Sequence, residues 1–199
     1  MHITEKQLKM IMDLLQQQGK LENLTGVKSI QANRFFRDSV VGKMIDKNID
    51  MNTNIHGWDG VLKDGTYFEN KNIKAGVKSG VSMSLCLKDT SPLKLIELEN
   101  GVLIANSFWK DGKVSWLMLG NTRNVSHFLT ASYNPSSRKT STVSMMNCLK
   151  NGFKIVAIND KKSEVWDTLA SKFPRISNVL TIDDICTKKN LPALVEEMK

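Results

Sequence analysis

The chain of 199 residues is poor in cysteine, proline and aromatics: three Cys, four Pro and 7% Phe, Trp and Tyr. Cys86, Cys148 and Cys186 stand far apart and odd in number, without a CxxC or Cys/His grouping, which excludes a disulfide framework and a zinc knuckle and points to a reducing cytoplasm. No stretch approaches the roughly 18 apolar residues of a membrane span, and the opening Met-His-Ile-Thr-Glu-Lys has no apolar signal region, so neither membrane insertion nor secretion is expected. Acidic residues are scarce in one stretch. Between positions 101 and 150 the only carboxylate is Asp111, against six Lys and Arg, and this stretch carries most of the net charge of +8. A polyanion meets little repulsion there. At 41% hydrophobic and 24% charged, the composition is that of one globular domain spanning 1–199.

The element signals begin at Thr4, an N-cap with Gln7 as its reciprocal partner, followed by Leu8, Ile11, Met12, Leu14 and Leu15 at helical spacing up to Gly19, read as the stop. This helix and the residues to about 27 form an N-terminal extension expected to pack or to dimerise. A second helix is expected over 29–47. From Gly57 the period becomes extended: strands at 58–62 and 66–71 flank Lys63-Asp64-Gly65, whose Asp-Gly pair favours a tight hairpin. Strands are read at 81–87, 93–98, 102–109 and 114–119, the last three as an antiparallel meander within 90–130. The serine-rich 132–142 segment, with Arg138 and Lys139, reads as an exposed, mobile loop. A helix over 143–150, a buried strand over 153–158 and a C-terminal extension from 160 complete the chain.

Chemistry concentrates on the hairpin. Glu69 and Lys71, two apart on a strand, share a face with Tyr67, while Phe68 and Asn70 point the other way. The fold-back brings Asp59 near Glu69, placing two acids and a lysine in a small volume. Paired carboxylates are hard oxygen ligands suited to Mg²⁺, and Lys71 suits an attacking water or charge developing at phosphorus. His56 lies three residues before Asp59 as a loop histidine. No Walker loop, HExxH, GxSxG or dinucleotide fingerprint competes.

Asp59, then Glu69-x-Lys71 across a hairpin, resembles the PD-(D/E)XK nuclease superfamily, with Trp58 where the family name has proline. The resemblance implies an α/β fold with a mixed central sheet flanked by helices and a restriction-endonuclease-like αβββαβ core. The elements matched to that core are the helix ending near 47, strands at Asp59, at 69–71 and at 81–87, the helix before 150 and the strand at 153–158. The meander would be an inserted element. The resemblance further implies Asp59, Glu69 and Lys71 as catalytic residues, Mg²⁺ on Asp59 and Glu69, and an additional acid from the preceding helix, Asp38 or Asp46. DNA is the implied substrate; for its contacts the residues near turns and loops themselves offer Lys110, Lys113, Arg123, Arg138 and Lys139, with Asn106, Asn121 and Asn124, while Trp109 and Trp116 are expected in the core. Cutting both strands of a duplex calls for a homodimer. Within the class, a junction resolvase or homing-type enzyme shares these residues. A noncatalytic basic nucleic-acid-binding module using 101–150, or an interaction protein with incidental charge, are the readings outside it.

Overall fold

The computed structural model describes residues 1–25, 34–53, 57–73, 84–87, 91–136, 140–159, 161–170, 179–181 and 191–199. Helix α1 (Glu5–Thr25) begins with the expected reciprocal cap: the Gln7 amide donates to Thr4 Oγ1 at 3.3 Å, and the Thr4 amide to Gln7 Oε1 at 2.9 Å. It does not stop at Gly19. A Cβ there would lie 2.5 Å from the Gly112 amide nitrogen, so the glycine serves a backbone approach rather than a helix end. Helix α2 (Arg34–Ile45) buries Asp38, Val41 and Ile45 along one stripe.

Two short strands, β1 (Asp50–Met51) and β2 (Gly60–Val61), lead antiparallel into β3 (Tyr67–Ile73). The 62–66 turn has Gly65 at φ +89°, with Asp64 Oδ1 accepting from the Thr66 amide at 3.0 Å. Strand β4 (Ser84–Leu87) falls within the expected 81–87 run, but it pairs with β7 (Ser141–Ser144) in a separate two-stranded sheet.

The 93–98 run is not a strand. It belongs to helix α3 (Pro92–Asn100), started by Ser91, whose side chain accepts from the Lys94 amide at 3.1 Å, and by Pro92; it ends at Gly101, φ +108°. Residues 90–130 therefore form no inserted meander. They supply α3 and the two central strands, β5 (Leu103–Lys110) and β6 (Lys113–Asn121), joined through Asp111 and Gly112 at φ +51° and +73°. A 3₁₀ turn (Thr122–Val125) and α4 (Ser126–Ala131) follow. The expected 143–150 helix starts later, as α5 (Met145–Lys150), because residues 141–144 are held extended against β4. Then come β8 (Lys154–Ala157), α6 (Lys162–Ala170), β9 (Val179–Thr181) and α7 (Leu191–Met198).

The large sheet runs β1-β2-β3-β5-β6-β8-β9, antiparallel except for the β3–β5 and β8–β9 pairs. Each face carries a core. One contains Leu98, Ile104, Trp116, Met118, Leu129, Cys148, Phe153 and Leu169, on the side of α3–α6. The other contains Leu15, Val41, Ile45, Phe68, Leu103, Leu117, Leu119 and Leu194, on the side of α1, α2 and α7. Because β5 and β6 are covered on both faces, their residues 103–105 and 117–119 are apolar without alternation. The fold is thus mixed α/β, a mostly antiparallel mixed sheet between helical layers. Among the described residues no helix is long and apolar enough to cross a membrane.

Candidate functional site

The β2–β3 register, Gly60 opposite Phe68, carries the chain on so that Asp59 arrives beside Glu69. Strand β2 ends there, and Asp59 replaces a pairing strand: its Oδ2 accepts the Asn70 backbone N–H at 2.8 Å. Its own carbonyl accepts from the Asn52 amide at 2.9 Å, and the preceding Trp58 is fixed by stacking on Tyr67 and by its indole N–H donating to Glu97 Oε2 at 2.9 Å. Trp58 thus anchors the strand entrance from which Asp59 projects.

Glu69 and Lys71 form an ion pair on one face of β3, as their spacing predicts. Helix α2 closes the other side. Asp38, on its buried stripe, accepts from Asn70 Nδ2 at 2.7 Å and Asn72 Nδ2 at 3.2 Å. Asp46 is elsewhere, accepting from the Asn48 and Lys63 amides in turns, so Asp38 is the acid that the preceding helix brings to the hairpin. The hydrogen-bond chain extends inward from Asn72 through Ser107, whose hydroxyl donates to Asn72 Oδ1 at 3.2 Å, to the indole N–H of Trp109 at 3.0 Å.

Arg34 ties the acids together. One guanidinium nitrogen, Nη2, lies 3.0 Å from Asp59 Oδ1 and 4.0 Å from Glu69 Oε1, while Nε lies 3.4 Å from Asp38 Oδ2. No motif in the sequence marks Arg34 as a site residue; its spacing of four from Asp38 is the local signal available. Partial burial works against its charge, yet Asp59, Asp38 and Glu69 outweigh that and raise its pKa above the ordinary value.

Two cations, Arg34 and Lys71, do not balance the three acids Asp38, Asp59 and Glu69. Burial foremost, then the charge of Glu69, pushes Asp59 up to about 6, against the opposing pull of the Asn70 N–H, Arg34 and Lys71. Burial, then the Asp59 charge, pushes Asp38 up to about 7 despite Asn70 and Arg34. Glu69 is only 2% exposed, and among the described residues its Oε2 has no hydrogen-bond partner. A buried carboxylate oxygen without a donor is costly, and such atoms mark places where a cation or substrate donor is wanted. Among the described residues no group of three or more His, Cys, Asp and Glu side chains is arranged to hold a metal ion. The site offers two convergent acids, with Asp38 behind them and fastened by amides.

Among the described residues the expected DNA contacts do not form one patch. Lys110 and Lys113 are exposed at the tip of the β5–β6 hairpin, Lys110 lying 3.9 Å from Glu164. Arg123 lies beyond the opposite end of β6, a strand roughly 27 Å long, and donates to the Asn100 carbonyl at 2.6 Å. Asn106 and Asn121 are buried, Asn121 capping the 3₁₀ turn through the Arg123 amide, so neither faces a nucleic acid. Asn124 is exposed. Trp109 and Trp116 are core residues as expected. His56, Arg138 and Lys139 lie outside the described residues.

No protein-family model matches the chain, and no curated protein matches it.

Proposed function

We propose that the protein is a Mg²⁺-dependent endodeoxyribonuclease of restriction-endonuclease type, hydrolysing DNA phosphodiester bonds at the Asp59–Glu69–Lys71 hairpin. The observation that carries this reading is the convergence of Asp59, Glu69 and Asp38 on one guanidinium, with Glu69 Oε2 buried and, among the described residues, without a donor. The element order supports it as well. Helix α2, strands β1, β2 and β3, helix α3 and strand β5 come in that order, with β4 between β3 and α3 set apart in its own two-stranded sheet, and β1, β2, β3 and β5 are neighbours in the large sheet. This assignment replaces 81–87, the pre-150 helix and 153–158 as the matching elements.

The donor set fits a divalent ion. Asp59 and Glu69 would hold it, and the Glu69 charge, which after burial is the second cause that raises the Asp59 pKa, is what a cation would offset. Bound there, Mg²⁺ supplies Lewis-acid polarisation of the phosphoryl group and acidifies a coordinated water. Lys71, part-exposed and paired with Glu69, donates to the attacking water or to charge growing on the phosphoryl oxygens. Arg34, half exposed, presents a fork that a phosphate accepts on two oxygens, so substrate draws it from the carboxylates it bridges. Asp38, held by Asn70 and Asn72, positions Arg34 and β3. Water attacks phosphorus and one P–O ester bond breaks; no protein nucleophile is needed. The free thiols of Cys86 and Cys148 suit a cytoplasmic setting.

Purified protein is expected to nick or linearise DNA with Mg²⁺ and to stop with EDTA. Undiminished cutting by Asp59→Ala or Lys71→Ala, or cutting indifferent to EDTA, refutes the reading. Duplex, four-way junction, single-stranded DNA and RNA substrates, with product ends mapped, separate a restriction-type enzyme from a junction resolvase or homing-type enzyme.

A further inference from the structure

Helix α1 carries a second, largely apolar stripe beside the one that faces the core. Leu8, Ile11 and Leu15 pack into the core formed with α2 and α7. The other stripe, Met10, Leu14, Gln17, Leu21 and Leu24, faces outward, with Met10 63%, Leu14 47%, Leu21 59% and Leu24 85% exposed. Its spacing of four, three, four and three residues is the repeat of a coiled-coil seam, about 21 Å long at 1.5 Å per residue. Scattered surface leucines need no explanation, but a stripe in register does.

The two halves of this face differ in shape. The N-terminal half opens into an apolar cleft of about 570 Å³ between α1 and α2, lined by Met1, Ile3, Gln7, Met10, Phe35 and Phe36 among others. The C-terminal half projects Leu24, 85% exposed and the most exposed large apolar residue among the described residues. One half is a hole and the other a knob.

We infer that α1 pairs antiparallel with α1 of a second copy of this chain, each copy seating Leu21 and Leu24 over the cleft of the other. A two-fold axis between Leu14 and Gln17 sets Leu14 against Gln17 of the second copy, Met10 against Leu21 and Gln7 against Leu24. Charge selects this direction. Asp13 and Lys20 are exposed along one edge of the seam. In the antiparallel register Asp13 lies beside Lys20 of the second copy, and by symmetry the pair occurs twice. A parallel pairing sets Asp13 beside Gln18 and brings each knob against its equal, leaving both clefts uncovered. The inference stands apart from the metal site, since none of these residues touches the hairpin acids.

Light scattering and sedimentation of the full chain test it. A dimer is expected at micromolar concentration, and Leu21→Glu or Leu24→Glu should weaken it at least tenfold, about 1.4 kcal/mol or more. Asp13→Lys and Lys20→Asp should each weaken it several-fold by creating two like-charged pairs, and the double exchange should restore it. Circular dichroism melts show whether the variants remain folded. Independently of them, Leu14→Cys chains mixed with Gln17→Cys chains should cross-link to each other on oxidation. A monomer, a dimer indifferent to Leu21→Glu and Leu24→Glu, a double exchange no better than the single ones, or a monomer that floats with anionic vesicles would each overturn the pairing.

Discussion

Asp59→Asn should stabilise the protein at pH 8 while removing the proposed hydrolytic activity, and the gain should depend on pH in a defined direction. The carboxyl of Asp59 moves from 3.8 to about 6 on folding, through burial first and the Glu69 charge second. The groups around it are Arg34 and Asp38 from α2 and Glu69 and Lys71 from β3. A carboxyl whose folded pKa is raised binds its proton more tightly in the folded state. Its favourable share of stability is therefore present below about pH 4 and lost as pH rises through about 6. Two units correspond to about 3 kcal/mol, and rearrangement of Arg34 toward the remaining acids reduces this to about 2 kcal/mol. For a chain of this size that is a rise of roughly 4–8 °C in melting temperature. The asparagine oxygen keeps the Asn70 N–H satisfied, so the substitution removes charge without orphaning that donor. Thermal melts of both proteins at pH 4 and pH 8 are the assay, with the variant ahead only at pH 8. On the proposed function, millimolar Mg²⁺ should then raise the wild type alone, because only its acid pair would gain a ligand. An Asn variant equally shifted at both pH values, or less stable than wild type at pH 8, refutes the electrostatic account of the site.

Three further outcomes test the packing. Gly112→Ala should cost about 3 kcal/mol or more in urea unfolding, because its Cβ would stand 2.1 Å from the Leu15 carbonyl oxygen, whereas Gly65→Ala, with nothing within 4 Å, should cost only about 1 kcal/mol for its positive φ. Gly120→Ala brings a Cβ to 2.2 Å from the Phe153 ring and should destabilise by about 1–3 kcal/mol, with Phe153→Leu lowering the penalty in a double-mutant cycle. Thr4→Ala removes the α1 cap and should cost about 1 kcal/mol in chemical denaturation, with no effect on cleavage.

The parts of this molecule that could be read from sequence are those governed by neighbours in the chain. The Thr4–Gln7 cap, the Asp64-Gly65 turn and the shared face of Glu69 and Lys71 are local, and each stands as its spacing implies. The 93–98 run defeated pattern reading because Leu93, Leu95, Ile96 and Leu98 serve either period; Ser91-Pro92 before it and Gly101 after it were the deciding helix signals. Gly19 obeyed a contact rather than a stop rule, and no local pattern announces that a hairpin turn will lie against a helix. The parallel pairing of β3 with β5 joins residues more than thirty positions apart and places the acids beside the centre of the sheet. Arg34 was hidden for the same reason: two of its three acidic partners lie on the hairpin, at least 25 residues away. Asp38 and Asp46 were indistinguishable by spacing, and the helical stripe through Val41 and Ile45 decides between them.

The contact between Gly19 and Gly112 is main chain against main chain, with no side chain to act as a cushion. A surface hairpin ordinarily accepts an extra residue at its tip, because the loop bulges into solvent. Here an insertion between Asp111 and Gly112 has nowhere to go except into helix α1. The length of the tip bearing Lys110 and Lys113 is thus gauged by the helix it abuts.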